Sequence, residues 1–306
     1  MGYLFLAIVC SSSIALIFKY SEGSKMNRYA VTSVNYLTAL FISLLMIIAK
    51  PSTKIHITDI SIKGFILECS KVLSQNHVYF SPESSFTWAL LVGIIGGAFF
   101  FLSFIYYQKS VRENGASLSG TFGKLGILVP MIFSILFWKE IPKPFQWVGI
   151  FIALFSIVFA NISYDENNNK SINLTLILLF LFGGMAEFQN KLFQKYALLE
   201  YKDVFLFVTF TMAFLLSLHF VLKSKEKILK RDLLTGFLVG IPNLFSSYFL
   251  IMALNSVNTS IALPVYSAGS IIFISLGEVL LYKEKLSNKN KIAVGLVVFA
   301  LVLINI

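Results

Sequence analysis

Four ionisable side chains fall inside long apolar stretches of this 306-residue chain: Lys124, Glu187, Lys191 and Glu278. A charge within hydrocarbon is costly, so each needs a partner or a task. Lys124 is the deepest, ~15 Å from either end of its apolar run by helical rise. A lysine stem does not fully reach an interface from there. Gly120 and Ser117 lie one and two turns earlier on the same helical face and leave room for a solute or water. An ammonium in that setting suits a carboxylate or a phosphate, and its charge would respond to desolvation by a bound solute. The alternative is a structural pair with a buried glutamate or with backbone carbonyls.

Glu187 and Lys191 are one turn apart and can neutralise each other. Glu187 also lies ~12 Å inside its run, beside Gln189 and Asn190, a setting for a gate or a proton carrier. Glu278 is only ~6 Å from the end of its run. It suits a counter-ion for Lys124, a proton carrier, or a carboxylate reaching interfacial water. Uncharged polar groups form a second set: Asn35 with Thr32, Asn243 and Ser247 after Gly240-Ile241-Pro242, and Tyr266 with Ser270 after Pro264. Each serves either as a solute ligand or as a hydrogen bonder between helices. The Gly-Ile-Pro tripeptide is expected to break its helix, which lipid tolerates only where the freed carbonyls face protein or a cavity.

Other chemistries find no support. Cys10 and Cys69 carry no metal spacing, and His56, His77 and His219 form no zinc motif, so no metal or cofactor is expected. No nucleophile–base set and no paired aspartates in adjacent runs speak for an integral-membrane enzyme. A channel would want a ring of charges or carbonyls. A flippase for a lipid-linked phosphate stays open as an alternative, because Lys124 would suit such a headgroup.

Composition explains what must position these groups. Hydrophobic residues make up 57% and charged residues 13%. A soluble surface needs about a quarter charged residues, so the chain reads as a polytopic membrane protein. The net charge of +10 sits mainly in short strips between apolar runs, which points to membrane lipid and away from nucleic acid. The first run has no basic leader and reads as a span, not a removable signal.

About 20 apolar residues cross a hydrocarbon layer of ~30 Å. Ten runs qualify: 3–19, 30–49, 86–107, 114–137, 145–162, 173–195, 203–222, 232–253, 258–282 and 290–305. The long connector 50–85 repeats Ile62, Phe65, Ile66, Cys69, Val72 and Leu73 at helical spacing. It reads as either an amphipathic helix on the membrane surface or a flexible loop.

The chain also repeats itself. A shift of 144 residues lays Asn114–Glu140 on Asn258–Glu284 without a gap. It matches Asn114/Asn258, Ile127/Ile271, Leu136/Leu280, Lys139/Lys283 and Glu140/Glu284, and pairs Gly96 with Gly240 and Ser103 with Ser247. A shift of 176 lays Lys19-Tyr20 on Lys195-Tyr196. Lys124 falls on Ala268, so any function there breaks the symmetry. A repeat of five spans is odd, so its second copy enters the membrane from the opposite side, the architecture of alternating-access carriers. The two repeats are 1–163 and 164–306.

The ends of the fourth and ninth runs resemble the drug/metabolite transporter superfamily, in its ten-helix EamA-like branch. The first copy reads Pro130, then Phe133-Ser134-Ile135-Leu136-Phe137-Trp138-Lys139-Glu140, then Gly149. The second reads Leu280-Leu281-Tyr282-Lys283-Glu284-Lys285-Leu286-Ser287, then Gly295. The second copy departs from the pattern, with Ile274 where the first has Pro130. The resemblance implies an all-α integral membrane protein of ten transmembrane helices in two inverted five-helix repeats. It implies transport of a small organic solute across an inner or plasma membrane.

Lys124 would bind an anionic or zwitterionic metabolite, with Ser117, Asn35, Asn243, Ser247, Tyr266 and Ser270 as further ligands. Glu187, Glu278 and Lys191 would form a gate or proton relay. A homodimer is an open assembly. Connectors after odd-numbered spans carry fifteen Lys and Arg against eight after even-numbered ones. That puts the termini outside by the positive-inside rule, whereas the resemblance implies cytoplasmic termini.

Overall fold

A computed structural model of the chain describes residues 1–24, 26–49, 62–74, 78–114, 122–161, 174–224, 227–283 and 288–305. The α-helices among them are α1 (Gly2–Gly23), α2 (Arg28–Ala49), α3 (Ile62–Ser74), α4 (Pro82–Asn114), α5 (Leu128–Trp138), α6 (Pro144–Asn161), α7 (Leu174–Tyr196), α8 (Lys202–Lys223), α9 (Lys230–Leu254), α10 (Thr259–Tyr282) and α11 (Asn288–Asn305). No strand occurs among the described residues.

Among the described residues, seven helices are long and apolar enough to cross a membrane, by length and composition: Gly2–Ser21, Arg28–Ala49, Pro82–Tyr107, Leu174–Tyr196, Leu199–Lys223, Lys230–Leu254 and Thr259–Tyr282. Three shorter apolar helices lie at Phe122–Trp138, Pro144–Ser156 and Val294–Ile304. The chain is therefore an integral, multi-pass membrane protein. The helix Ile62–Ser74 occupies part of the connector 50–85.

Polar residues punctuate these helices. The Asn27 carboxamide oxygen accepts the Ala30 amide at 3.1 Å and opens α2. The Asp232 carboxylate accepts the Leu229 amide at 2.8 Å and opens α9. α5 and α10 end alike, on lysines 144 positions apart. Lys139 and Lys283 both adopt φ 54°, in the left-handed region. Left-handed backbone costs a non-glycine residue roughly 1 kcal/mol, so both copies keep the same strained stop.

The expected break is absent, and one that the sequence does not announce is present. Pro242 sits inside the continuous helix α9. Proline removes one intrahelical bond without ending this helix, and lipid-exposed helices keep all the others because nothing replaces them. The interruption falls instead in the fourth apolar run. A helical turn at Phe122–Leu125 gives way to a turn at Gly126-Ile127 before α5 begins.

The chain divides into two compact units, each drawing on both halves of the sequence. One comprises Met1–Leu16, Phe99–Phe188 and Ser256–Ile306. The other comprises Ile17–Ala98 and Gln189–Asn255. α1, α4 and α7 contribute residues to both.

In the first unit α11 lies along α6, where Gly149 faces Ile304 and the Ala300 carbonyl. Ala153, Ala268 and Ala300 form a fully buried cluster there. α10 meets α1 at Gly269 against Ile8 and Gly277 against Leu16, and the Tyr282 hydroxyl donates to the Leu16 carbonyl at 2.7 Å. Small residues at such crossings let helices approach without lipid between them.

In the second unit α2 packs on α8 and α9. Gly236 rests on Val31 and Val34, and Gly240 on the Asn35 carbonyl and Thr38. Phe193 stacks on Phe205 with ring centres 4.7 Å apart.

Candidate functional site

Lys124 occupies the last full turn before the interruption at Gly126 and is half-buried. The interruption has a packing cause. Gly126 faces the backbone of Gly184 and the Phe180 carbonyl, and Gly184 faces Gly126 and Val129. Backbone meets backbone at this crossing, and any side chain on either glycine would push the segment and α7 apart. One turn from Gly184 on the same helix is Phe188, whose ring packs on Phe133 (4.7 Å) and Trp138 (5.9 Å). The segment carrying Lys124 is thereby fixed along α7.

That docking puts Lys124 within Coulombic reach of Glu187. Gly183, one turn before Glu187, faces the Ser103 hydroxyl and the Gly123 carbonyl. The Tyr107 ring approaches Gly123, and Tyr106 packs on Phe182 at 5.1 Å. Ser103 and Tyr107 thus lie beside the glycines next to Lys124 and one turn before Glu187, where a helix is interrupted. A cation within a span needs an anion, and Glu187 supplies one from the same unit. An incoming carboxylate or phosphate can compete for the same ammonium.

The other candidates separate into two groups. Tyr266 and Ser270, both buried, share the first unit with Lys124 and Glu187, as does half-buried Glu278. The Ser270 hydroxyl donates to the Tyr266 carbonyl at 2.7 Å, and the Ser12 hydroxyl donates to the Ser270 carbonyl at 3.3 Å. Asn35, Asn243, Ser247 and Lys191 belong to the second unit. There the Asn243 amide donates to the Asn35 carboxamide oxygen at 2.9 Å, across α9 and α2. Lys191, 3% exposed, donates to the Gln194 side-chain carboxamide oxygen at 3.0 Å. Gln194 in turn donates to Asn255 at 3.4 Å. Ser117 and Gly120 lie outside the described residues.

Sequence reasoning missed several participants. Ser103 was read only as a repeat match, and Tyr106 and Tyr107 look like span-end aromatics. The buried pair Lys202 and Asp203, 3.9 Å apart with Lys202 over the Tyr248 ring at 5.0 Å, opens α8 in the second unit. Its signal was a Lys-Asp dipeptide heading an apolar run, which also describes an ordinary span end.

A helical, multi-pass membrane protein with charged groups beside an interrupted helix defines a broad class, and the comparisons narrow it. The EamA-like transporter family matches residues 1–162 and again residues 170–306, so the chain belongs to that family, carries it in two copies, and falls among membrane transporters of the drug/metabolite type. An uncharacterized protein of Haemophilus influenzae is 22% identical over 297 residues, spanning 95% of this chain and 92% of its own. A crystal structure superposes over 98% of this chain and 94% of its own with TM-score 0.66 at 16% identity, a likeness of fold alone.

Proposed function

We propose that the chain is a secondary-active carrier that moves a small anionic or zwitterionic metabolite across the cytoplasmic membrane by alternating access. Its seven long and three shorter apolar helices then act as ten spans. Its two family copies, five spans each, are inverted. The observation that supports this reading best is that Lys124 lies within Coulombic reach of Glu187, beside the interruption at Gly126. Carriers build solute sites from discontinuous helices, whose ends offer backbone groups that a continuous helix consumes internally.

The pair works as an exchange site. With no solute, Glu187 neutralises Lys124. A solute carboxylate or phosphate takes the ammonium and leaves Glu187 to take a proton, which links solute movement to proton movement. Tyr266 and Ser270 line the solute's path in the same unit. Asn35, Asn243 and Ser247 offer a second polar set in the other, and Glu278 and Lys191 serve as gate residues.

The test is thermal stability of purified protein against a panel of carboxylates, phosphates, cations and neutral compounds. A ligand bound only by the folded state raises the unfolding midpoint by mass action. Anionic compounds should stabilise the wild type and leave Lys124→Ala unmoved. Equal responses in both proteins, or responses only to cations and neutral compounds, would overturn the assignment of Lys124.

A further inference from the structure

α3 presents three arcs. Phe65, Glu68, Cys69 and Val72 turn inward, with Val72 1% exposed and Phe65 packed on Phe80 at 5.5 Å. Ile66 and Leu73, seven residues apart, follow one ridge on the outside and are 62% and 50% exposed. Lys63, Leu67 and Lys71 follow at intervals of four along a neighbouring ridge, and all three are exposed. Exposed aliphatics next to lysines on a short helix are the composition of an interfacial helix.

The helix's single carboxylate strengthens the case. Glu68 accepts the Ser81 amide at 2.6 Å, the Ser81 hydroxyl at 2.9 Å and the Ser84 hydroxyl. It is thereby spent on the N-terminus of α4, a favourable place for a negative charge. The exposed charged groups of α3 are the two lysines, Lys63 and Lys71. The neighbouring aromatics mark a depth. Phe80 packs on Trp88 (5.2 Å), Trp88 on Tyr196 (5.8 Å) and Phe86 on Tyr201 (6.3 Å), at the ends of α4 and α7 and ahead of α8. Trp and Tyr collect where hydrocarbon meets headgroups.

We infer that α3 is a membrane-surface helix that docks on anionic lipid through Lys63, Lys71, Ile66 and Leu73, and that Glu68 ties this lipid-bound helix to the N-terminus of α4. Ile66 and Leu73 enter the acyl boundary while the two ammonium groups meet phosphate headgroups. Two lysines near an anionic surface favour the docked helix by roughly thirtyfold.

The experiment uses the full chain in lipid nanodiscs. Cys10→Ser and Cys69→Ser clear the native thiols, and Ile66→Cys carries an environment-sensitive fluorophore. In discs of phosphatidylcholine with phosphatidylglycerol, the emission should shift to the blue and resist an aqueous quencher. The shift should shrink in phosphatidylcholine alone and in the Lys63→Gln, Lys71→Gln variant, whose folding is checked by its elution from size exclusion. A probe equally accessible in both disc types, or indifferent to the lysine changes, overturns the proposal. So does a blue shift that persists in detergent and grows with protein concentration, because a second copy then covers the face.

Discussion

The Glu140 carboxylate accepts the backbone amide of Thr259 at 2.6 Å, joining residues 119 positions apart in the chain. Glu140 follows the left-handed stop of α5, and Thr259 opens α10. The Glu140 backbone amide donates to the Ser134 carbonyl at 3.2 Å at the end of α5, while its side chain caps α10 of the second copy, with the charge where the helix dipole favours it. Glu140→Ala should lower stability by about 1 kcal/mol, as losing a cap does. Glu140→Gln, which keeps an acceptor oxygen, should lose less. Thermal unfolding of the purified variants in one detergent measures both.

The twin lysines give a prediction of the opposite sign. Lys139→Gly and Lys283→Gly each place glycine where φ is 54°. Relief of left-handed strain should stabilise each variant by about 1 kcal/mol. The two gains should add, because each acts on its own backbone position.

Removing one member of the Lys124–Glu187 pair removes a favourable charge interaction inside an apolar run. Lys124→Ala and Glu187→Gln should each lose stability by about 1–3 kcal/mol. The double variant should recover part of that loss, and a double-variant cycle in thermal unfolding reads the difference. The proposed proton coupling predicts that a pH gradient drives transport by the wild type in proteoliposomes and not by Glu187→Gln. A gradient response equal to wild type would remove Glu187 as the proton carrier.

Glu68 gives the fold a pH dependence outside the spans. Burial pushes its carboxyl up. The Ser84 hydroxyl, the Ser81 amide and hydroxyl, and the charge of Lys71 together outweigh burial and hold it below the ordinary glutamate value. A carboxyl lowered in the folded state stabilises at pH above its unfolded value, about 4.3. That contribution disappears as pH falls through the folded value. Glu68→Gln should therefore unfold more readily than wild type at neutral pH. The gap should close as both proteins are taken below pH of about 4.

The α2–α9 seam carries a smaller coupling. Alanine at Asn35, at Asn243 and at both should reveal about 0.6 kcal/mol, the usual worth of one hydrogen bond between membrane helices. Gly240→Leu should cost more than either. Its side chain would meet the Asn35 carbonyl and Thr38, and α2 and α9 would have to part.

Much of this was legible in the sequence, because lipid demands long apolar runs and charges within them are conspicuous. Lys124 and Glu187 stand out on that ground alone, and of the two readings that the spacing from Ile62 to Leu73 leaves open, helix or flexible loop, the fold has the helix. The break at Gly126 was not legible. It depends on Gly184, 58 positions away, and nothing local separates Gly126 from other glycines within spans. Pro242 misled for the converse reason: a proline signals a break locally, while the packing of Gly236 and Gly240 on α2 holds α9 in line. At Lys191 the sequence points to Glu187 one turn earlier, and the fold adds a hydrogen bond to the Gln194 side chain that spacing alone does not single out.

The way α1, α4 and α7 are shared between the two units bears on how the protein is made. Neither half of the sequence holds a complete unit, since each unit draws segments from before residue 163 and after residue 164. A ribosome that has released the spans before residue 163 has completed neither core. Those spans must wait, partly unpaired, in or beside the insertion machinery until α7 to α11 arrive. Biosynthesis thus ends in a late assembly step, and the first half expressed alone should be cleared by membrane quality control, while the two halves expressed together can restore the whole.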